Sequence, residues 1–319
     1  MHARPLLIAA TLAWAGLLAT PVQAQWPQQP VTIVVPFGAG GNTDIMARAL
    51  SQELSATFNQ SFIVDNRPGA GGMVGSQVAA RARADGYTFL LGGISTVLFN
   101  HMYKNPLVDV RKDLTPVSLV ATVPNYLSVS PSLPVQSAAE LLAMVKAEPG
   151  KHSCANSGIG TSTHLSCEMF RMAGALDIIM VPYKSGAAAI ADVMAGRATM
   201  VLVNEALPYI RDNRLKGLAV TSATRSALAP ELPPIAEVVP GYDVTSWYAF
   251  FAPAGTPLEI VKTFDDAIRN IVRRPAMQQR LAMLGASVSD MPNAQFSRFV
   301  TDEFNRWGAA IRTLNLQLD

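Results

Sequence analysis

Charge is scarce in this chain, cysteine and histidine are scarcer, and no long apolar run follows the first two dozen residues. Charged residues make up 15% of the 319, and Lys plus Arg exceed Asp plus Glu by only two. A surface so nearly neutral excludes the basic face that nucleic acid requires, so no nucleic-acid partner is expected. Four histidines leave little for acid–base chemistry. The G-x-G-x-x-G, P-loop, G-x-S-x-G and H-E-x-x-H patterns are all absent, so nothing nominates a nucleotide site or a nucleophile. No cofactor and no metal is expected, and the chain reads as a non-enzyme. What is abundant is apolar material, 50% of the residues, enough for about two packed domains.

The one apolar run that could reach a membrane lies at the start. Arg4, the stretch "LLIAATLAWAGLLA" and the small-residue site "VQA" ending at Ala24 form an export signal, with residues 1–24 removed and Gln25 the first mature residue. The run falls short of the ~20 residues that a spanning helix needs. No cysteine stands at the cleavage point, which argues against a lipid anchor. The expected location is therefore the periplasm. Cleavage removes one of 25 basic residues and none of 23 acidic ones, leaving a net charge of +1.

The two cysteines, Cys154 and Cys167, have an even count and a short separation, which in an oxidising compartment suggests a disulfide. Free thiols remain an alternative. So does zinc, because His152 and His164 flank the same cysteines, although neither pair has a C-x2-C type of spacing.

Beyond the signal, short β-branched runs alternate with helical periodicity, the pattern of an α/β protein. "VTIVV" precedes a helix from about Thr43 with Met46, Ala49, Leu50 and Leu54 on one face. "SFIVD", "YTFLLGG" and "LTPVSLVATV" complete a first set of strands. A second set starts near Tyr126, with "HSCANSG", "DIIMVPY", "ATMVLVN" and "LAVTS". The helix in "SLPVQSAAELLAMVKAEPG" is punctuated by a Ser137/Glu140 capping box and by Pro149-Gly150. After the proline-rich "APELPPIAEVVPGYDV", a lone strand "WYAFFAP" is followed only by helices. A single strand cannot support a domain, so this tail is expected to return to the first half. The boundaries become 25–124 with 247–319 for one domain and 125–246 for the other, joined by two crossings near Thr122 and Thr245.

Three loops invite a ligand. In "PFGAGGNTD" bare glycines precede a helix start, where unsatisfied N–H groups and the helix dipole suit an anion. "RPGAGG" repeats the arrangement, and "NSGIGTST" repeats it in the second domain with hydroxyl donors. Each loop taken singly is also ordinary strand-to-helix connection. Asn42 reads equally as an N-cap, Asp44 as a first-turn acid, Arg67 as a surface charge, and His164 as a structural residue.

Together "PFGAGGNTDIMAR", "NRPGAGGMVGS", "ADGYT", "NSGIGTSTHL", "VPYKSGAAAIADVMAGR" and "APAGTP" resemble, in order and spacing, the Bug family, the TctC-like solute-binding proteins of tripartite tricarboxylate transporters. The resemblance covers essentially the whole chain. It implies a two-domain periplasmic binding protein fold, type II-like, with a ligand cleft between the domains. It also implies a small carboxylated ligand (an amino acid, a di- or tricarboxylate, or an aromatic acid such as nicotinate), integral-membrane permease subunits as partners, and a monomer. The site residues carried over are Phe37, Gly38, Gly40, Gly41 and Asn42 from the first loop, Ala70 and Gly71 from the second, and Gly158, Thr161, Ser162 and Thr163 from the third. Asp44 is expected beside a ligand ammonium or hydroxyl, and Ser95 and Asn204 are further candidates. The chain departs from its relatives at "VLVNEA", where they often carry "MF" and an acid or asparagine. An exported sensor subunit on the same fold, or an exported hydrolase, are the competing readings.

Overall fold

The computed structural model describes residues 26–314 and 316. The export signal and its cleavage site lie outside the described residues. Among the described residues eleven strands and eleven α-helices fall into two sheets with flanking helices. The first half runs β1 (Val31–Val35), α1 (Asn42–Phe58), β2 (Phe62–Asn66), α2 (Met73–Ala80), β3 (Thr88–Gly93), α3 (Ile94–Met102), α4 (Val110–Asp113) and β4 (Leu114–Pro124). The middle runs β5 (Tyr126–Val129), α5 (Ala138–Ala147), β6 (His152–Asn156), α6 (Ser162–Ala173), β7 (Ile178–Pro182), α7 (Gly186–Met194), β8 (Met200–Val203), α8 (Ala206–Arg211) and β9 (Lys216–Val220). The tail holds β10 (Thr245–Pro253), α9 (Leu258–Val272), α10 (Pro275–Ala282), β11 (Ser287–Val288) and α11 (Asn293–Leu314).

The first sheet has the order β11-β4-β10-β3-β1-β2 and the second β7-β6-β8-β5-β9. β1 is parallel to β2 and β3, and it is buried along nearly its whole length, which is why "VTIVV" shows no polar alternation. β10 inserts antiparallel between β3 and β4, so the tail is the middle of the first sheet. α9 presents Val261, Phe264, Ile268 and Ile271 at helical spacing to that sheet, and Phe264 stacks on Phe89 with ring centroids 4.0 Å apart.

The chain passes between sheets at Asn125 and again between Val220 and Thr245. The two passages are tied together. Asn125 N–H donates to Thr221 Oγ1 (2.8 Å), Thr221 N–H to the Asn125 carbonyl (3.0 Å), and Thr221 Oγ1 to the Val244 carbonyl (2.7 Å). Asn125 Nδ2 adds a bond to Ser166 Oγ at 2.9 Å. The first crossing lies three residues beyond Thr122 because pairing with β10 carries β4 through to Pro124, the partner of Thr245. The proline-rich segment lies along β9, with Val220 N–H donating to the Pro233 carbonyl.

Candidate functional site

A cavity of about 230 Å³ opens between the sheets at the carboxyl ends of β1, β3, β6, β7 and β8. Open α/β sheets place ligands there, because the helix that follows each strand turns its N-terminus toward that edge. Four helices do so: α1 through Gly41, Asn42 and Thr43, α3 through Gly93, Ile94 and Ser95, α6 through Thr161, Ser162 and Thr163, and α7 through Ser185 and Gly186. Each of these starts brings partly unsatisfied N–H groups and positive dipole charge.

Of the residues singled out from sequence, Phe37, Gly38, Gly41, Asn42, Ser95, Thr161, Ser162, Thr163 and Asn204 line the cavity. Gly40, Asp44, Ala70, Gly71 and Gly158 are not among the lining residues. Asp44 faces its own loop. It is buried, it accepts from Gly40 N–H (2.9 Å) and from Arg48 Nε (3.1 Å), and it forms an ion pair with the Arg48 guanidinium. Burial alone would raise its pKa, but the hydrogen bonds from Arg48, Gly40 and Asn66 and the Arg48 charge outweigh that and hold it below the ordinary carboxylate value. So held, Asp44 turns to its own loop rather than lining the cavity. Arg67 pairs with Asp65 on the surface.

Asn42 is the first helical residue and Gly41 the N-cap, so the N-cap reading of Asn42 is corrected. Its side chain is thereby left to cross the cleft, where Nδ2 donates to Asn204 Oδ1 at 3.2 Å. Asn204 Nδ2 in turn donates to Tyr248 Oη at 3.1 Å, on β10 of the first sheet. Ala70 and Gly71 belong to a left-handed turn, with φ of 45° and 62°, at the cleft edge. A Cβ on Gly71 would stand 3.2 Å from the Ile159 carbonyl oxygen and 3.4 Å from Gly160 Cα, so the second and third loops touch across the opening. These two contacts describe a closed cleft.

The third loop is braced from within. Thr161 Oγ1 donates to the Gly158 carbonyl (2.6 Å) and accepts from His164 N–H (3.3 Å), and Thr163 Oγ1 accepts from Ser157 N–H (2.8 Å). Gly158, at φ 119°, lets the loop turn back, and its N–H donates to Asn156 Oδ1. What remains for a ligand is the Ser162 hydroxyl and the N–H groups at the start of α6. Directly behind, Cys154 of β6 and Cys167 of α6 form a disulfide with Cα atoms 6.0 Å apart. His164 sits 3.7 Å from Glu168, with burial lowering its pKa against the opposing pull of that carboxylate. Among the described residues no group of three or more His, Cys, Asp or Glu could hold a metal ion.

Sequence reasoning missed Lys184, Ser185, Gly186, Glu205, Trp247 and Tyr248, all of which line the cavity. "VPYKSG" carried a signal, since a serine N-cap after a strand marks another helix start, and Ser185 Oγ does accept from Ala188 N–H. Lys184 is an exposed cation at the rim. Glu205 carried no local signal. Trp247 comes from the tail and is held from behind by Glu303, whose Oε2 accepts from both Trp247 Nε1 (2.9 Å) and Trp307 Nε1 (2.8 Å).

A model of the tripartite tricarboxylate transporter family receptor, TctC, matches residues 46–316. Protein BugT of Bordetella pertussis is 35% identical over 313 residues, which are 96% of this chain and 96% of that protein. Among solved structures, R. palustris Rpa4515 with adipate is similar with a TM-score of 0.85 at 36% identity, over 91% of this chain and 99% of that one. The periplasmic binding protein BugD is similar with a TM-score of 0.84 at 31% identity, over 92% of this chain and 99% of that one. The chain therefore belongs to the Bug/TctC family of extracytoplasmic solute receptors of tripartite tricarboxylate transporters, with their two-domain periplasmic binding protein fold and a cleft between the domains.

Proposed function

We propose that this receptor captures a small carboxylated solute in the cleft, closes its domains over it, and delivers it to the integral-membrane permease subunits of a tripartite tricarboxylate transporter. The observation that carries the reading is the convergence of helix N-termini from both sheets on one cavity. One helix end stabilises an anion by at most about 2 kcal/mol. Micromolar affinity needs about 8 kcal/mol, so several ends, direct hydrogen bonds and enclosure must act together. Adipate in the related Rpa4515 supports a carboxylate as the solute class.

The cavity-lining residues Phe37, Gly38, Gly41, Asn42, Ser95, Thr161, Ser162, Thr163 and Asn204 make up the proposed contact surface, with Lys184 adding positive charge at the mouth. Gly40, Asp44 and Gly158 shape the loops, and Ala70 and Gly71 seal the edge. The bodies that move are residues 25–124 with 247–319 and residues 125–246. A ligand favours the closed form because only there do both bodies touch it. The protein reaches the periplasm through a signal cleaved after Ala24 and works as a monomer. A thermal-shift screen of ligand-stripped protein tests this reading. A carboxylate at 100 times its dissociation constant adds about 2.7 kcal/mol, which is readily visible. A panel of mono-, di- and tricarboxylates without effect, beside a response to sugars or cations, would sink it.

A further inference from the structure

The cavity is rich in donors. Backbone N–H groups at four helix starts, the hydroxyls of Ser95 and Ser162 and the Lys184 ammonium all offer hydrogens. Set among them is one carboxyl group, Glu205. Part of its side chain borders the cavity, while Oε2 is closed to bulk solvent and has no hydrogen-bond partner among the described residues. Among the described residues no ion pair within 4.0 Å is recorded for it. The fold makes room for this group, because a Cβ on Gly186 would stand 2.5 Å from Glu205 Oε2 and 2.6 Å from its carboxyl carbon. Its position is also fixed, since the preceding residue is anchored to both Asn42 and Tyr248.

We propose that Glu205 is the specificity-determining acceptor of this cavity, selecting a carboxylate that also carries a protonated amino group over the same acid without it. The inference rests on the carboxylate reading above and names the subclass. A carboxylate enclosed without a counter-charge is costly, and burial pushes its proton affinity up. An ammonium group on the ligand supplies both the missing hydrogen and the missing charge, whereas a ligand hydroxyl supplies only the hydrogen. Asp44, the other acid nearby, is paired with Arg48 and does not line the cavity. The ligand carboxylate then lies toward the starts of α1, α3 and α6, and its ammonium toward the β8–α7 wall.

The test is calorimetric titration of the exported protein, stripped of bound ligand, with matched probes: L-aspartate and succinate, L-glutamate and glutarate, L-alanine and propionate. The expected result is that at least one amino acid binds tenfold or more tighter than its des-amino partner, and that Glu205→Gln collapses this ratio to within threefold. Glu205→Asp, which keeps the charge, retains a preference for the amino member. The proposal is overturned if the des-amino acids bind as tightly or tighter in wild type, a comparison that needs no variant, or if the ratio survives in Glu205→Gln. Failure of all six probes to bind, where another carboxylate of the thermal-shift panel does bind, overturns this proposal alone; failure of the whole panel overturns the carboxylate reading and this proposal with it.

Discussion

Two acids near one cavity end in opposite states, and the difference is one of partners. Asp44 is held by a guanidinium and by the Gly40 amide hydrogen, whereas Glu205 has its own backbone N–H beside the carboxyl group and leaves Oε2 without a partner among the described residues. Because the folded pKa of Asp44 lies below its unfolded value of about 3.8, its stabilising contribution is present above that value and is lost as pH falls through the folded one. Asp44→Asn is expected to lower the melting temperature near neutral pH and to flatten the acid limb of a melting-temperature profile; an unchanged limb would dismiss its bracing role. For Glu205 the sign is reversed. Its raised pKa means that a proton competes with a ligand ammonium, so affinity for an amino-bearing probe falls as pH drops below that pKa. Lys184 and Tyr248 also face the cavity, and burial keeps the Tyr248 phenol protonated throughout that window. Titrations across pH with wild type and Glu205→Gln check this, the variant being expected to show the flatter profile. The third loop divides similarly. Ser162→Ala is expected to raise the dissociation constant about fivefold, the equivalent of about 1 kcal/mol, without altering the melting temperature. Thr161→Ala removes an N-cap and is expected to cost about 1 kcal/mol of stability. Equal effects of the two on stability would contradict that division of labour.

At the scale of elements, helix starts carry the site and strand ends aim them. The start of α1 was legible in sequence to within a residue, because an apolar strand, bare glycines and a periodic face follow one another. α3 was not legible. Ile94, Ser95, Thr96, Val97, Leu98 and Phe99 are all buried, so no polar face reveals its period. The capping box of α5 is half as read: Ser137 Oγ accepts from Glu140 N–H (3.1 Å), but Glu140 Oε2 accepts from Gln136 N–H (2.7 Å) rather than from that of Ser137. The disulfide ties β6 to α6 and encloses the whole third loop. Closing a loop of this size contributes about 3 kcal/mol. The paired Cys154→Ser and Cys167→Ser variant is therefore expected to unfold at lower denaturant and to bind more weakly, since the loop it frees lines the cavity. Thiol titration of the unfolded exported protein should find no free thiol, and two would refute the bridge.

At the scale of the molecule, Asn42 with Asn204, Asn204 with Tyr248, and the Gly71 turn against Gly160 bridge the closed cleft. Gly71→Val places a branched side chain at φ 62° and into the Ile159 carbonyl, a conformation and a contact that both disfavour the closed form. The variant is expected to bind at least tenfold more weakly and to show a larger radius of gyration by X-ray scattering at saturating ligand. A ligand-bound radius equal to that of wild type would show that this seam does not govern closure.

The α/β class, the return of the tail to the first half, the three glycine loops and the family resemblance could all be read from the order of residues, because β-branched runs, helical periods and bare glycines act over a few neighbouring residues. Tertiary structure alone decided that β10 would become the centre of the first sheet, that Asp44 would turn to Arg48, and that Trp247, Tyr248, Lys184 and Glu205 would share one cavity. These depend on which distant surfaces meet. A carboxyl group is chemically the same at Asp44 and Glu205, and its role follows from whether packing brings it a donor.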